Sequence, residues 1–168
     1  MKRGFSRTGT DVTNLQQLAR SRKKQRSGDV FAMLLPDERY LFGRVISTDA
    51  VVGPMEGVLL LYVYRYRSDS PALPDRSELR PCQLLVSPFL SNRKGWSEGV
   101  FETVGNIPLG DGDVLDQHCF GRWNGEYFDE CSNQLPGPVE PVGDFGLHSF
   151  RTIDDEISDA LGFERVLN

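Results

Sequence analysis

The sequence predicts a mostly β fold of the α+β class: an antiparallel sheet or partly open barrel with a short C-terminal helix and a marginal N-terminal helix. Two apolar runs flank the break Pro36-Asp37-Glu38-Arg39, which is typical of a β-hairpin with a four-residue loop. Residues 56–67 alternate between two faces, as a strand does. Strand patterns then follow one another until a single helical pattern near the end, an order that favours antiparallel pairing.

The first hairpin is predicted over residues 28–46. If Leu35 pairs with Tyr40 across the loop, Val30 lies opposite Val45. One face of the hairpin is then wholly apolar and can be buried.

The next strand is predicted at residues 56–67, with two different faces. One face, of leucine and valine, predicts core and consists of Leu59, Leu61 and Val63. The other face carries Leu60, Tyr62, Tyr64 and Tyr66. This tyrosine face has two interpretations. The rings contact a partner, since Tyr is enriched at interfaces, or they cover a second small core.

Later in the chain the sequence predicts two strands, a second hairpin and a helix. They lie at 82–90, 100–104, 118–131 and 153–161, the helix being capped by Thr152 and ended by Gly162. Stretches rich in proline or glycine, at 68–81 and 135–146, predict loops.

The pair Asn124-Gly125 predicts a two-residue turn in the second hairpin. His118 then faces Cys131, with Asp129 nearby, a combination used by some nucleophilic enzymes. The same pair is also ordinary packing, and no oxyanion motif accompanies it. Cys119 points to the opposite side in this register, so we expect no disulfide between Cys119 and Cys131. Three cysteines without Cys-x-x-Cys spacing indicate free thiols.

Charge divides the chain into two parts. Residues 1–28 hold eight Lys/Arg and one acid (8 − 1 = +7), whereas residues 29–168 hold eleven Lys/Arg and 23 acids (11 − 23 = −12). We therefore expect a basic, partly disordered or helical tail at 1–27 and a single acidic β-rich domain at 28–168. An acidic surface attracts basic partners and disfavours nucleic acid, but it also serves solubility alone.

The tail has capping-box spacing at Thr13-Asn14-Leu15-Gln16, which predicts a short helix to about Lys24. Its apolar content is thin, so we expect the rest of the chain to fold without residues 1–26. No apolar run approaches the ~20 residues that cross a bilayer, and the N-terminus lacks a secretory apolar region. A cytoplasmic location without membrane contact is the expectation.

Neither a cofactor nor a metal is expected. The chain has two histidines, His118 and His148, without the spacing of a hydrolytic zinc site. A carboxylate site around Asp111, Asp113 and Asp116 lacks the last ligand of an EF-hand loop, so a solvated loop is the simpler interpretation.

Two blocks of the sequence resemble the immunity protein 26 family of bacterial polymorphic toxin systems. The first block reads Gly-Asp-Val-Phe, then apolar residues, a turn, an aromatic residue and Gly-Arg-Val. Its matching residues are Gly28, Asp29, Val30, Phe31, Leu35, Pro36, Tyr40, Phe42, Gly43, Arg44 and Val45. The second block, Gly99–Leu109, resembles the family's middle segment, which contains Gly-Asn-x-Pro-Leu, and has Phe101 where Trp is usual.

The resemblance implies a mostly β protein that neutralises a toxin in the producing cell, and it carries no catalytic residues. Some family members bear a phosphotriesterase label, so a hydrolase using His118, Cys131 and carboxylates is one alternative. A nucleic-acid-binding module that uses the basic tail and the tyrosine face is another.

We therefore expect an immunity-type protein that binds a cognate protein toxin and occludes it without turnover. Acidic residues at turns would steer a basic partner, and tyrosines would anchor it. The candidate contact residues are Tyr62, Tyr64, Tyr66, Asp111, Asp113, Asp129 and Glu130.

Overall fold

The computed structural model describes residues 13–167, which form two sheets and two helices. The larger sheet has the order β4-β3-β2-β1-β5, with β1 Asp29–Leu34, β2 Tyr40–Val52, β3 Met55–Ser68, β4 Phe89–Ser91 and β5 Glu102–Asn106. The smaller sheet has the order β8-β7-β6-β9, with β6 Cys119–Gly121, β7 Tyr127–Phe128, β8 Gln134–Leu135 and β9 Val142–Asp144. The helices are α1 Lys94–Ser97 and α2 Phe150–Leu161.

The mostly β prediction with a short C-terminal helix is confirmed, and neither sheet closes into a barrel among the described residues. All pairs of neighbouring strands are antiparallel except β6 and β9, which run parallel. Neither helix within residues 13–167 has the length and hydrophobicity that crossing a bilayer requires.

The predicted register of the first hairpin is wrong by one residue. Phe31 lies opposite Gly43, and the loop is closed by the Leu35 amide and the Arg39 carbonyl at 2.9 Å. The loop therefore has three residues, and the last of them, Glu38, takes a left-handed φ of 66°. Three-residue hairpin loops need such a residue at that position, usually glycine, and glutamate gives no sequence signal for it.

The second hairpin has the same three-residue loop, and its predicted register is also wrong by one residue. The Arg122 amide donates to the Glu126 carbonyl at 2.8 Å, and Gly125 takes a φ of 82°. In this register Phe120 lies opposite Phe128. The one-residue change removes the predicted pairing of His118 with Cys131 and brings Glu130 to His118 instead.

Both faces of the larger sheet are buried. On the first face, Leu59, Leu61 and Val63 of β3 join the side chains of α1 and α2 in one core. On the second face, Tyr62 and Tyr64 pack in a core that also contains Phe120 of the smaller sheet. The predicted alternation of β3 is thus correct, and each face forms part of a different core.

Two other predicted elements differ in the structure. The predicted strand at 82–90 forms only at Phe89–Ser91, because Pro81 begins a 3-10 turn and Pro88 interrupts pairing. The last helix begins earlier than predicted: Ser149, not Thr152, is its N-cap, and its hydroxyl accepts from the Thr152 amide. Gly162 ends the helix in a left-handed conformation, as predicted.

The predicted N-terminal helix is absent, since residues 13–24 contain only an isolated bridge between Gln16 and Leu34. The segment 13–27 instead forms an irregular strap. Its Leu15 is 3% exposed and lies in the first core, and the amides of Asn14 and Leu15 donate to the Asp154 carboxylate at 2.9 and 2.8 Å. Residues 1–12 of the predicted tail lie outside the described residues.

Three aromatic rings form the centre of the first core. Phe31, Trp96 and Phe101 lie with their centroids 4.9 to 5.2 Å apart. Two glycines make room for them: a side chain at Gly43 would overlap the Phe31 ring, and one at Gly95 would overlap the Phe101 ring. The glycine in Gly-Arg-Val therefore admits an aromatic ring directly onto the backbone of the neighbouring strand.

We expect Gly43→Ala to lower the free energy of unfolding by about 1–3 kcal/mol, because the added methyl group would displace the buried Phe31 ring. Urea unfolding measures the change. Gly137→Ala is the matched control, since a methyl group there meets no atom within 4 Å. Equal stability of the two variants would contradict the packing described here.

We expect deletion of residues 1–26 to leave a folded domain that melts at a lower temperature, because the deletion removes Leu15 from the core and the amides from Asp154. Leu15→Ala alone should cost about 2–4 kcal/mol. Gln17→Ala, an exposed position in the same strap, should change little. A truncated chain as stable as the full chain would show that the strap contributes nothing.

Candidate functional site

The two sequence blocks that carry the family resemblance meet at one place in the fold. The Ile107 amide donates to the Gly28 carbonyl at 3.0 Å, and the Asn106 side-chain amide donates to Asp29 at 2.9 Å. Gly28 takes a φ of 89°, and a side chain there would come within 2.8 Å of the Ile107 carbonyl oxygen. These residues join β1 to the segment after β5, so they help to hold the scaffold together.

Arg44 extends this contact into the second core. Its side chain has no exposed surface, and its Nη2 donates to the carbonyls of Ile107 at 2.5 Å and Pro108 at 3.2 Å. The same nitrogen lies 3.6 Å from the carboxylate of Asp113, which is equally buried. A buried guanidinium requires such a partner, because an unpaired charge in the interior is costly.

Two further arginines share Asp113. Arg76 Nη2 lies 2.5 Å and Arg80 Nη1 lies 3.2 Å from its carboxylate oxygens. Burial alone would raise the pKa of Asp113, but hydrogen bonds from Arg76 and the Gly110 amide, and the charges of Arg44 and Arg76, hold it below its usual value. Asp113 therefore stays ionised and locks the loop 110–113 onto the sheet.

A second buried network links β3 to the smaller sheet. Tyr62 Oη lies 2.6 Å from His118 Nε2, and His118 Nδ1 lies 3.1 Å from Glu130 Oε2. Burial raises the pKa of Tyr62 to about 12, so its hydroxyl keeps its proton and can donate it to Nε2. The hydrogen bond from His118 holds the pKa of Glu130 below its usual value.

The three predicted tyrosine anchors have different environments. Tyr62 and Tyr64 have no exposed surface, and burial raises the pKa of Tyr64 well above its usual value. Tyr66 is half-buried and stacks on Phe42 with the ring centroids 5.9 Å apart. The interpretation of Tyr62 and Tyr64 as cover for a second core matches their burial, and neither ring can touch a partner in this conformation.

The predicted acidic residues separate into two places. Asp111 is exposed at the end of the loop that Asp113 closes, beside Arg80. Asp129 and Glu130 adjoin the exposed Cys131, and the hydrogen bond from the Val51 amide to the Glu130 carbonyl, 2.8 Å, brings this turn to the end of β2 that carries Asp49. Burial and then the charges of Glu130, Asp129 and Asp49 raise the pKa of this thiol. We call Asp49, Asp129 and Glu130 the acidic cluster.

The predicted Cys–His pair is not assembled, since His118 contacts Tyr62 and Glu130 and Cys131 lies exposed at the end of the hairpin. The described residues keep all three thiols free and contain no group of three or more potential metal ligands. A cleft of about 370 Å³ between β4 and β9 carries Asp144, His148 and Glu156.

The arginine network was missed in the sequence. Its signal was present, because Arg44 is the one charged residue in the otherwise apolar run from Leu41 to Ile46. A lone charge in such a run predicts a buried partner of opposite sign, and the sequence does not say which of the many acids supplies it.

We expect Asp113→Asn to lower the free energy of unfolding by about 3 kcal/mol, because it leaves the buried Arg44 without its counter-charge. Asp111→Asn, an exposed carboxylate two residues away, is the control and should change little. Since the pKa of Asp113 is lowered in the folded state, its stabilisation is present above about pH 4 and fades as the pH falls. Denaturant unfolding at pH 7 and pH 3 measures both effects, and a wild-type advantage that persists undiminished at pH 3 would contradict the assignment.

Comparison with known proteins identifies one family, and its match covers this scaffold. No characterised protein and no solved structure matched the chain. The family model described as Immunity protein 26 matches residues 26–125, which include β1 to β5, both resemblance blocks and the whole arginine network. Since the match covers more than half of the 168 residues, the chain belongs to the Immunity protein 26 family.

Proposed function

We propose that this chain protects the cell that makes it by binding a cognate toxin of a polymorphic toxin system in the cytoplasm and occluding the toxin's active surface. Membership of the Immunity protein 26 family is the observation that carries the proposal. The buried polar groups support binding over turnover, because they are tied to structural partners. Asp113 holds three arginines, and His118 bridges Tyr62 and Glu130.

The proposed contact surface centres on the acidic cluster. Asp129 and Glu130 are candidates from the sequence, and Asp49 lies near them, since the Val51 amide donates to the Glu130 carbonyl at 2.8 Å. After burial, the charges of these three carboxylates raise the pKa of the Cys131 thiol. Clustered charges of one sign steer an oppositely charged partner, so a basic toxin surface fits here. Tyr66 and Asp111 remain proposed contacts at the surface, whereas Tyr62, Tyr64 and Asp113 would act by holding that surface from beneath.

The nucleic-acid alternative retains one supporting feature. Arg20, Arg22, Lys23 and Lys24 of the strap are exposed and basic. The tyrosine face offers no stacking platform, because Tyr62 and Tyr64 are covered by the second core. Retention on heparin or RNA at physiological salt, lost on neutralising these four residues, would favour this alternative over toxin binding.

The test of the proposed function is co-expression with the product of the toxin gene beside this chain's gene in a sensitive host. Protection by the wild-type chain, together with a complex of the two purified proteins, is the expected result. Failure to protect and failure to bind the neighbouring gene product would refute the immunity function for this chain, and the hydrolase alternative should then be assayed on an activated phosphotriester.

We expect the double variant Asp49→Asn/Asp129→Asn to associate with that toxin several-fold more slowly than wild type at low salt, with little change in dissociation. Added salt should remove the difference, because screening weakens steering. The control Glu98→Gln/Glu164→Gln removes the same charge from exposed positions outside the cluster. Association rates are measured by stopped flow. Equal slowing of both variants would contradict a specific role of the acidic cluster in steering the toxin.

A further inference from the structure

Trp123 is the feature that the scaffold does not explain. It is 94% exposed, whereas the chain's other tryptophan, Trp96, is 1% exposed and donates its indole N–H to Thr103. Within residues 13–167, the other exposed large apolar side chains are about 40% exposed, apart from Leu167 near the chain end. A tryptophan side chain buries about 150–250 Å² when it is covered, so leaving it in water forgoes a large apolar contact.

The hairpin that carries Trp123 presents it on a rigid tip. Arg122 and Glu126 close the loop by a backbone hydrogen bond of 2.8 Å and an ion pair of 3.9 Å. The Asn124 side chain accepts from the Glu126 amide at 3.2 Å. A side chain held by a pre-ordered loop loses little conformational freedom when it binds.

The loop chemistry does not require a tryptophan at this position. The first hairpin has the same three-residue loop, with Asp37 accepting from the Arg39 amide as Asn124 does from Glu126. Its first loop residue is Pro36, also exposed. The second loop residue accepts the hydrogen bond and the third takes the left-handed conformation, whereas the first residue differs between the two loops. Trp123 therefore has no structural role that a small residue could not fill.

The net charge of the smaller sheet indicates the chemistry of a partner that covers its tip. Residues 119–148, which form the smaller sheet and its loops, hold one arginine and five acids (1 − 5 = −4). Their acids include Asp129 and Glu130 of the acidic cluster and Asp144, which lies opposite Gly121 in the sheet register. An apolar anchor at the tip of a negatively charged sheet fits an apolar pocket with a basic rim.

We infer that Trp123 at the tip of the β6–β7 hairpin is the central anchor of this protein, and that it inserts into an apolar, basic-rimmed pocket of the cognate toxin. The inference rests on the proposed function and adds to it the place of docking. Tryptophans in such positions carry much of the binding energy of an interface, while the surrounding charges set the association rate.

The experiment uses the protein encoded by the toxin gene beside this chain's gene as the probe. Trp123→Ala should weaken its binding at least about 30-fold, mainly through faster dissociation, and Trp123→Phe should weaken it less. Leu73→Ala, an exposed apolar position in the loop after β3, is the matched control and should bind as wild type does. All three variants should keep the wild-type melting temperature, since neither side chain belongs to either core.

A second measurement reports contact directly. Incorporation of 5-fluorotryptophan into this chain alone gives two ¹⁹F resonances, from Trp96 and Trp123, which Trp123→Phe assigns. Addition of the toxin should shift the Trp123 resonance and leave that of the buried Trp96 nearly unchanged. An unshifted Trp123 resonance in the saturated complex, or Trp123→Ala binding within about two-fold of wild type, would overturn the inference while leaving toxin binding in place.

Two other outcomes would also overturn it. If the wild-type chain does not bind the toxin, the proposed function and the anchor fail together. If sedimentation shows that the wild-type chain alone forms a dimer that Trp123→Ala dissociates, the occupant of this surface is a second copy of the chain and not the toxin.

Discussion

The buried charge of Arg44 constrains the architecture of the whole second core. Its guanidinium lies in a central strand of the larger sheet without exposed surface, and water cannot solvate it there. The chain must therefore bring oxygen atoms to it. The segment after β5 does so by returning over the sheet, where the carbonyls of Ile107 and Pro108 and the carboxylate of Asp113 meet the guanidinium. The loops that carry Arg76 and Arg80 are held by the same carboxylate.

The neighbouring residue, Gly43, sets the opposite face of the same strand. Its missing side chain lets the Phe31 ring pack on the backbone, and Phe31 then contacts Trp96 and Phe101. Two consecutive residues of β2 thus organise two cores, because successive residues of a strand point to opposite faces. The Gly-Arg-Val motif of the first sequence block therefore has a physical explanation. Gly43 leaves room for the Phe31 ring, and Arg44 binds the loop that returns after β5.

Alternation predicted which residues of β3 share a face, but not what covers each face. The tyrosines are covered by Phe120 and by loops distant in sequence, and no local pattern contains that information. Both predicted hairpin registers are wrong by one residue, for different reasons. The left-handed third loop position is Glu38 in the first loop, which gives no sequence signal. In the second loop it is Gly125, which together with Asn124 resembles a two-residue turn. The strands Tyr127–Phe128 and Gln134–Leu135 are too short to show an alternating sequence pattern, and they are defined by their pairing with each other and with β6. The strap was mistaken for a helix because long-range contacts to Leu34 and Asp154 override its weak helical propensity.

Much of the scaffold lies inside the family match, and several of the candidate contact residues follow it. The matched region, residues 26–125, contains the larger sheet, the Phe31–Gly43 contact and the arginine network, and it ends inside the second hairpin. Glu126, Asp129, Glu130 and Asp144 follow that limit, and Trp123 lies at its edge. The smaller sheet and its loops are joined to the larger sheet by Phe120, by the His118 bridge and by backbone hydrogen bonds such as that from the Val51 amide to the Glu130 carbonyl at 2.8 Å. Exposed side chains that take no part in these contacts can differ without disturbing Arg44 or Phe31. Under the proposed function, specificity for one toxin requires changes only in side chains such as Trp123 and Asp144, which are exposed and outside both cores, so their substitution costs little stability.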